Sequence, residues 1–170
     1  MIHSADSCHD AQRLHAQAVA IVTGGSCATG RDVARALTSW GWALVVVYLE
    51  DQPTVEATVA EILAAEGAVV AVRADLADEL DVQRLFAESI AAFAGIDVVV
   101  HTTPGAASSL YQSAAWHVRP GGAVVRISAA PGVAPEVARQ LRERGITVVA
   151  APADGLIAFL DKWRHREAIG

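Results

Sequence analysis

Three glycines and the residues between them carry the strongest chemical signal in this 170-residue chain. Gly24, Gly25 and Gly30 follow a short apolar run, Val19 to Val22, and precede Val33, Leu37 and Trp40, which recur at helical spacing. A strand, a glycine turn and a helix N-terminus together form an anion site. Free backbone N–H groups and the positive end of the helix dipole face whatever fills the turn. A dinucleotide pyrophosphate is a ligand of that shape and charge. Gly24, Ser26, Cys27, Ala28, Thr29 and Gly30 are therefore expected at the cofactor.

The elements that must position this turn follow from periodicity. Ala43 to Leu49 is a nearly continuous Val/Leu run, as expected of a strand covered on both faces. Val55, Val59, Ile62 and Leu63 return to helical spacing, with Pro53 near the helix start and Gly67 at its end. Ala68 to Val72 reads as the third strand, and Leu80 to Phe93 as a helix stopped at Gly95. Asp97 to Val100, Ala123 to Ile127 and Ile146 to Ala150 read as the remaining strands. Short helices over Leu110 to Val118 and Pro135 to Leu141 separate them, Gly145 closes the second, and a last helix covers Leu156 to Trp163. Six strands alternating with helices require a parallel sheet with right-handed crossovers. The glycine turn after the first strand selects the doubly wound Rossmann fold, in strand order 3-2-1-4-5-6. One domain is expected over residues 18–170, after a polar arm at 1–17.

Composition narrows the function classes. A net charge of −6 disfavours nucleic acid as a partner, because phosphates require a basic face. No apolar run approaches the ~20 residues that cross a bilayer, and no basic-then-apolar leader opens the chain. Cys8 and Cys27 are too few to build a disulfide framework or a metal site. His3, His9 and His15 lie in the polar arm, where a solvated surface segment is the expectation. The chain reads as a reduced, cytoplasmic protein.

The segment ThrGlyGlySer at 23–26, closed by Gly30, resembles the fingerprint of the short-chain dehydrogenase/reductase family. ArgAlaAspLeu at 73–76, IleAspValValVal at 96–100, GlyGlyAlaValValArgIleSer at 121–128 and ArgGlyIleThrValVal at 144–149 resemble its third to sixth strands. The resemblance thus runs from about Val19 to about Ala151. It implies that the Asp75 carboxylate accepts from an adenine amino group while the Leu76 N–H donates back. The departures fall on chemistry. Ala28 stands where the family has a glycine, a methyl worth about 1–3 kcal/mol of overpacking against a pyrophosphate. HisThrThrPro at 101–104 replaces an asparagine-asparagine-alanine-glycine segment. The family's general acid is a tyrosine with a lysine four residues later, whose ammonium favours the phenolate. The chain has one lysine, Lys162, preceded at that spacing by Ala158, and its tyrosines are Tyr48 and Tyr111. The catalytic serine aligns with Ala129, beside Ser128, and the sequence contains no asparagine.

Other residues could do chemistry at the carboxyl ends of the strands, where this fold binds ligands. His101 and Thr102 end the fourth strand and Ser128 ends the fifth. Two readings of His101 stand: a general acid, or a replacement for an asparagine that makes structural and ribose contacts, which would put His101 and Thr102 at the cofactor. Tyr111 reads as packing on the short helix, and Cys27 as a thiol with no base beside it. Glu50 and Asp51 follow the second strand, where an acidic side chain holds a ribose 2′-hydroxyl and repels a 2′-phosphate, so NAD is favoured over NADP. The competing reading makes both acids caps of the next helix. Trp40, Trp42, Trp116 and Trp163 either anchor an interface or fill gaps. The leading expectation is a degenerate family member that keeps the dinucleotide scaffold without hydride transfer. It would act as a non-catalytic or nucleotide-binding regulatory protein, in a homo-oligomer or with an active homologue. The alternatives are an oxidoreductase with a rearranged site using His101, Ser128 or Tyr111, and a binder of another adenine ligand.

Overall fold

The structure, a computed structural model, describes residues 17–105 and 107–166. The elements run β1 (Val19–Val22), α1 (Ala28–Ser39), β2 (Ala43–Tyr48), α2 (Gln52–Ala64), β3 (Val69–Arg73) and α3 (Glu79–Phe93). They continue β4 (Ile96–His101), α4 (Ser108–His117), β5 (Val118–Ile127), α5 (Pro135–Glu143), β6 (Thr147–Ala151) and α6 (Leu156–Arg166). The polar arm with His3, Cys8, His9 and His15 lies outside the described residues. No helix among the described residues is long and apolar enough to cross a membrane.

All six strands form one sheet in the order β3-β2-β1-β4-β5-β6, and every neighbouring pair is parallel. The near-continuous apolar runs are explained by burial on both faces. Ala20, Val22, Val98 and Val100 face one layer, made with α1, α2 and α6. Ile21, Val99 and Val124 face the other, made with α3, α4 and α5. Within α1 the buried residues Val33, Ala34 and Leu37 form the stripe that the 3.6-residue period demands.

The tryptophans mostly fill gaps. Trp42 and Trp163 are buried edge to face, with ring centroids 6.0 Å apart. The Arg164 guanidinium lies 4.6 Å from the Trp40 ring centroid, so α6 is docked on the α1 side of the sheet. Trp116 alone of the four stands exposed.

Three boundaries differ from expectation for identifiable reasons. β5 starts at Val118, and the ladder shifts register between Ile96/Val98 and Val118/Ala123. Pro120 has no N–H to donate, so the segment bulges out of the ladder and pairing resumes beyond it. The helices expected to stop at Gly67 and Gly95 stop earlier, at Ala64 and Phe93, because Glu66 (φ 60°) and Ala94 (φ 62°), one residue before each glycine, take the left-handed conformation. At Gly95 the absent side chain provides space instead. A Cβ there would run into the guanidinium of Arg119, which crosses to bind the Asp97 carboxylate at 3.2 Å.

Ala94 therefore holds a conformation that costs an L-residue about 1–2 kcal/mol, part of which glycine's greater unfolded-state freedom cancels. Ala94→Gly is expected to stabilise the protein by about 1 kcal/mol, read as a higher urea midpoint at unchanged slope. A lower midpoint would show that this turn stores no strain.

Candidate functional site

The site is assembled at the carboxyl edge of the sheet, where the strand order reverses between β1 and β4. Thr23 follows β1, and its backbone N–H donates to the Val100 carbonyl at 3.0 Å. Gly24 turns the chain with φ +66°. A Cβ on Gly24 would lie 2.5 Å from Thr102 Oγ1 and 2.8 Å from Thr103 Cγ2. One on Gly30 would collide with the Gly24 carbonyl. The turn can close only with glycine at both positions. Cys27 then takes the N-cap position of α1 without a side-chain cap, so the first-turn N–H groups are left for solvent or an anion.

A cleft of about 540 Å³ opens beside this turn, within the range of small-molecule sites. Gly24, Ser26 and Cys27 form one wall, the ends of β2 and β3 with Tyr48, Glu50, Asp75 and Leu76 another, and Thr103 and Gly105 the third. The β3 end is fixed by a chain of polar contacts. Asp81 accepts from the Asp75 N–H at 2.9 Å and from Arg84 at 3.0 Å, and Arg84 also donates to the Arg73 carbonyl at 2.7 Å. The Asp75 N–H and then the Arg84 guanidinium hold the Asp81 carboxyl below the usual carboxylate range. Asp75 itself accepts from Ala77 N–H through one oxygen at 2.9 Å, and its other oxygen has no partner among the described residues. Glu50 and Asp51, adjacent in sequence, take different positions. Asp51 caps α2, accepting from Thr54 N–H at 3.3 Å, whereas Glu50 lines the cleft.

His101 is fully buried behind the cleft. Its Nε2 faces the Gly105 carbonyl at 3.4 Å and its Nδ1 lies 3.0 Å from Thr23 Oγ1. A carbonyl accepts only, so Nε2 carries the hydrogen and Nδ1 accepts from the Thr23 hydroxyl. That hydroxyl in turn accepts from Thr102 N–H at 3.0 Å, and Thr102 Oγ1 donates to the Thr23 carbonyl at 2.7 Å. Every polar group of this cluster is thereby paired, where an orphaned donor would cost about 1–3 kcal/mol. Burial first, and then the charge of Arg126, holds the imidazole below the ordinary histidine range. The His101 ring is thus held between Thr23 and Gly105 with burial opposing its charge.

The cleft is the feature that the comparisons with known proteins bear on. A family profile described as short chain dehydrogenase matches residues 18–117, more than half of the chain. The chain belongs to the short-chain dehydrogenase family. A 3-oxoacyl-[acyl-carrier-protein] reductase from Synechocystis is 39% identical over 83 residues, covering 49% of this chain and 34% of that protein. The chain spans about a third of the length of the curated relatives it matches. A short-chain dehydrogenase of Burkholderia cenocepacia, solved in complex with NADP, superposes with a TM-score of 0.62 at 25% identity, covering 83% of this chain and 79% of that one. A short-chain dehydrogenase of Oenococcus oeni gives a TM-score of 0.73 at 17% identity, with 85% and 88% covered, a likeness of fold.

Within this family fold, Gly24, Ser26, Cys27, Asp75 and Leu76 come together around the cleft. Ala28, Thr29 and Gly30 lie on the first turn of α1, and His101 and Thr102 form the layer beneath. None of these five lines the cleft. Ala28 is exposed and Trp42 is buried against Trp163, so neither plugs it. Sequence reasoning passed over Thr103, Gly105 and the support from Asp81; the AspGluLeuAsp run at 78–81, a capping pattern, was the available signal for Asp81. Among the described residues no cluster of His, Cys, Asp and Glu could hold a metal.

The groups that could donate a proton are dispersed. Tyr111 is buried on α4, its hydroxyl 3.4 Å from the Pro131 carbonyl, and burial pushes its phenol up. Lys162 is exposed on α6, across the sheet from the layer containing Tyr111. Ser128 follows β5, exposed and outside the cleft.

Gly30→Ala is expected to force the Gly24 carbonyl aside, costing about 1–3 kcal/mol of stability and closing the turn to anions. Chemical denaturation measures the first effect. Full stability in this variant would mean that the turn tolerates a side chain.

Proposed function

We propose that this chain is a dinucleotide-binding member of the family that does not transfer hydride, and that it serves as a non-catalytic subunit or nucleotide-responsive regulator in the cytoplasm. The observation that carries this reading is the contrast within one site. The glycine cradle, the uncapped α1 N-terminus, Glu50 and the free Asp75 oxygen all converge on the cleft. Tyr111 and Lys162, in contrast, belong to opposite layers. A nicotinamide dinucleotide fits the donors present. The pyrophosphate would take the α1 N-terminus, the adenine would meet Asp75 and Leu76, and the adenosine ribose would meet Glu50. When bound, that group supplies a hydride acceptor or donor, but general acid catalysis requires a positioned proton donor as well. Neither buried His101 nor buried Tyr111 presents one to the cleft.

Glu50 also supports a choice of cofactor. A carboxylate beside the ribose accepts from a 2′-hydroxyl and repels a 2′-phosphate, which favours NAD over NADP. Arg73, the cation close by, donates to the Leu49 carbonyl at 3.1 Å. A functional partner would be a second copy of the chain or an active relative that supplies the missing acid.

Titration of tryptophan fluorescence with NADH, NADPH, S-adenosylmethionine and ATP tests the reading, alongside a turnover assay with NADH or NADPH and simple carbonyl substrates. Saturable NADH binding without turnover is the expected result. Sustained turnover by the isolated chain would instead establish a rearranged active site, and preference for S-adenosylmethionine or ATP would replace the dinucleotide. Glu50→Ala is expected to narrow the NADH preference about ten-fold, corresponding to the ~1.4 kcal/mol of one charge-assisted contact. An unchanged NADH-to-NADPH ratio would remove Glu50 from the ribose.

A further inference from the structure

We infer that His101 is a proton-sensitive clasp, joining the β1–α1 turn to the β4–α4 loop while its ring is neutral and letting go of the Thr23 side on acidification. The geometry is that of a bridge. Nδ1 is 3.0 Å from Thr23 Oγ1, and Thr23 is followed directly by Gly24, which lines the cleft. Nε2 is 3.4 Å from the carbonyl of Gly105, which lines the cleft from the other side. One fully buried ring therefore connects the two segments just beyond the end of the β1–β4 ladder, beside the Thr23–Thr102 bonds.

Protonation disables this bridge in a specific way. The imidazolium has a donor on both nitrogens, so Nδ1 no longer accepts. The Thr23 hydroxyl already receives Thr102 N–H, and its own hydrogen would lose its acceptor, since the Thr23 carbonyl is taken by Thr102 Oγ1. Beyond the Gly105 carbonyl, which still accepts from Nε2–H and favours the charged ring, the surroundings offer the new charge no partner. Tyr111 from α4 meets the ring edge to face at 5.7 Å, and from β5 the residue in register with His101 is Arg126, a cation. β1 contributes the uncharged Thr23, and no carboxylate among the described residues forms an ion pair with His101.

Burial and Arg126 hold the folded imidazole below the unfolded histidine value. A group of this kind adds stability that is fully present above the unfolded value and is lost as pH falls through the folded one. The clasp is closed at neutral pH and opens in acid. The consequence for ligand binding rests on the dinucleotide reading above, whereas the clasp itself does not.

Amide NMR of the wild type and of His101→Asn, followed from pH 7.5 to pH 4.5, separates the two. The Gly24, Thr102 and Gly105 amides of the wild type are expected to shift together, with one midpoint below the ordinary histidine value shared by the His101 ring Cε1–H resonance. His101→Asn should lose that common midpoint. Calorimetric affinity for NAD is expected to fall about ten-fold per pH unit below the midpoint in the wild type, a slope missing from the variant whatever its affinity at pH 7.5. If the amides share no midpoint with the ring, or keep one in the variant, the clasp is refuted. Titrating amides without NAD binding would leave the clasp and overturn the dinucleotide reading, and equal pH slopes in both proteins would do the reverse. Should the variant not fold, the wild-type ring and amide midpoints decide the question alone.

Discussion

The seam between β1 and β4 is the constraint on which the rest of this molecule depends. β1 has only four residues, so its ladder with β4 supplies few hydrogen bonds at the centre of the sheet. Side chains complete both ends of that seam. At one end the Val19 N–H donates to Asp97 at 2.8 Å, and Arg119 grips the same carboxylate. At the other, the Thr23 hydroxyl stands between Thr102 N–H and His101. A neutral hydrogen bond adds about 1 kcal/mol net and one to a charged group about 1.5–3, so these contacts rival the short ladder itself. The seam also fixes the site, because the Gly24 turn leaves from its end and the β4 loop closes over it.

That arrangement separates the cleft from the side chains that could donate a proton. The cleft wall is built from backbone turns and from acids at the ends of β2 and β3, positions set by the sheet. Proton donors in such a site must come from the helices and loops beyond β4 and β5. Here α4 and α5 are short, and the phenol of Tyr111 is directed into the layer that α4 shares with α3 and α5. Tyr111 thus fills the layer instead of lining the cleft.

The strand order was legible because every central strand is an unbroken apolar run and the glycine turn is unambiguous. The left-handed residues were not, since Gly95 reads as a stop until Arg119, more than twenty residues on, is seen to need its space. The β5 start was hidden for a related reason. Pro120 to Gly122 looks like a break in sequence and is a bulge in space. Within the site, Gly24, Ser26 and Cys27 were legible from the glycine spacing, and Asp75 and Leu76 through the family resemblance. The division of labour between Glu50 and Asp51 was not. It depends on which of two adjacent acids takes the left-handed cap (Asp51, φ 56°) and which is left facing the cleft. His101 posed the same difficulty at longer range, as its ring is explained by Thr23, 78 positions earlier.

That separation bears on how the polypeptide acquires its shape. The Val19–Asp97 and Thr23–His101 contacts both span 78 positions, so the middle of the sheet cannot zip until a long loop has closed. A half-sheet of β1, β2 and β3 without β4 would have Val19 to Val22 as its inner edge, an unpaired apolar strand. Parallel pairing of this kind is slow and leaves such an edge open to other chains. The interval between synthesis of the first half and arrival of β4 is when this protein is most exposed to aggregation, and its most buried strand is the surface at risk.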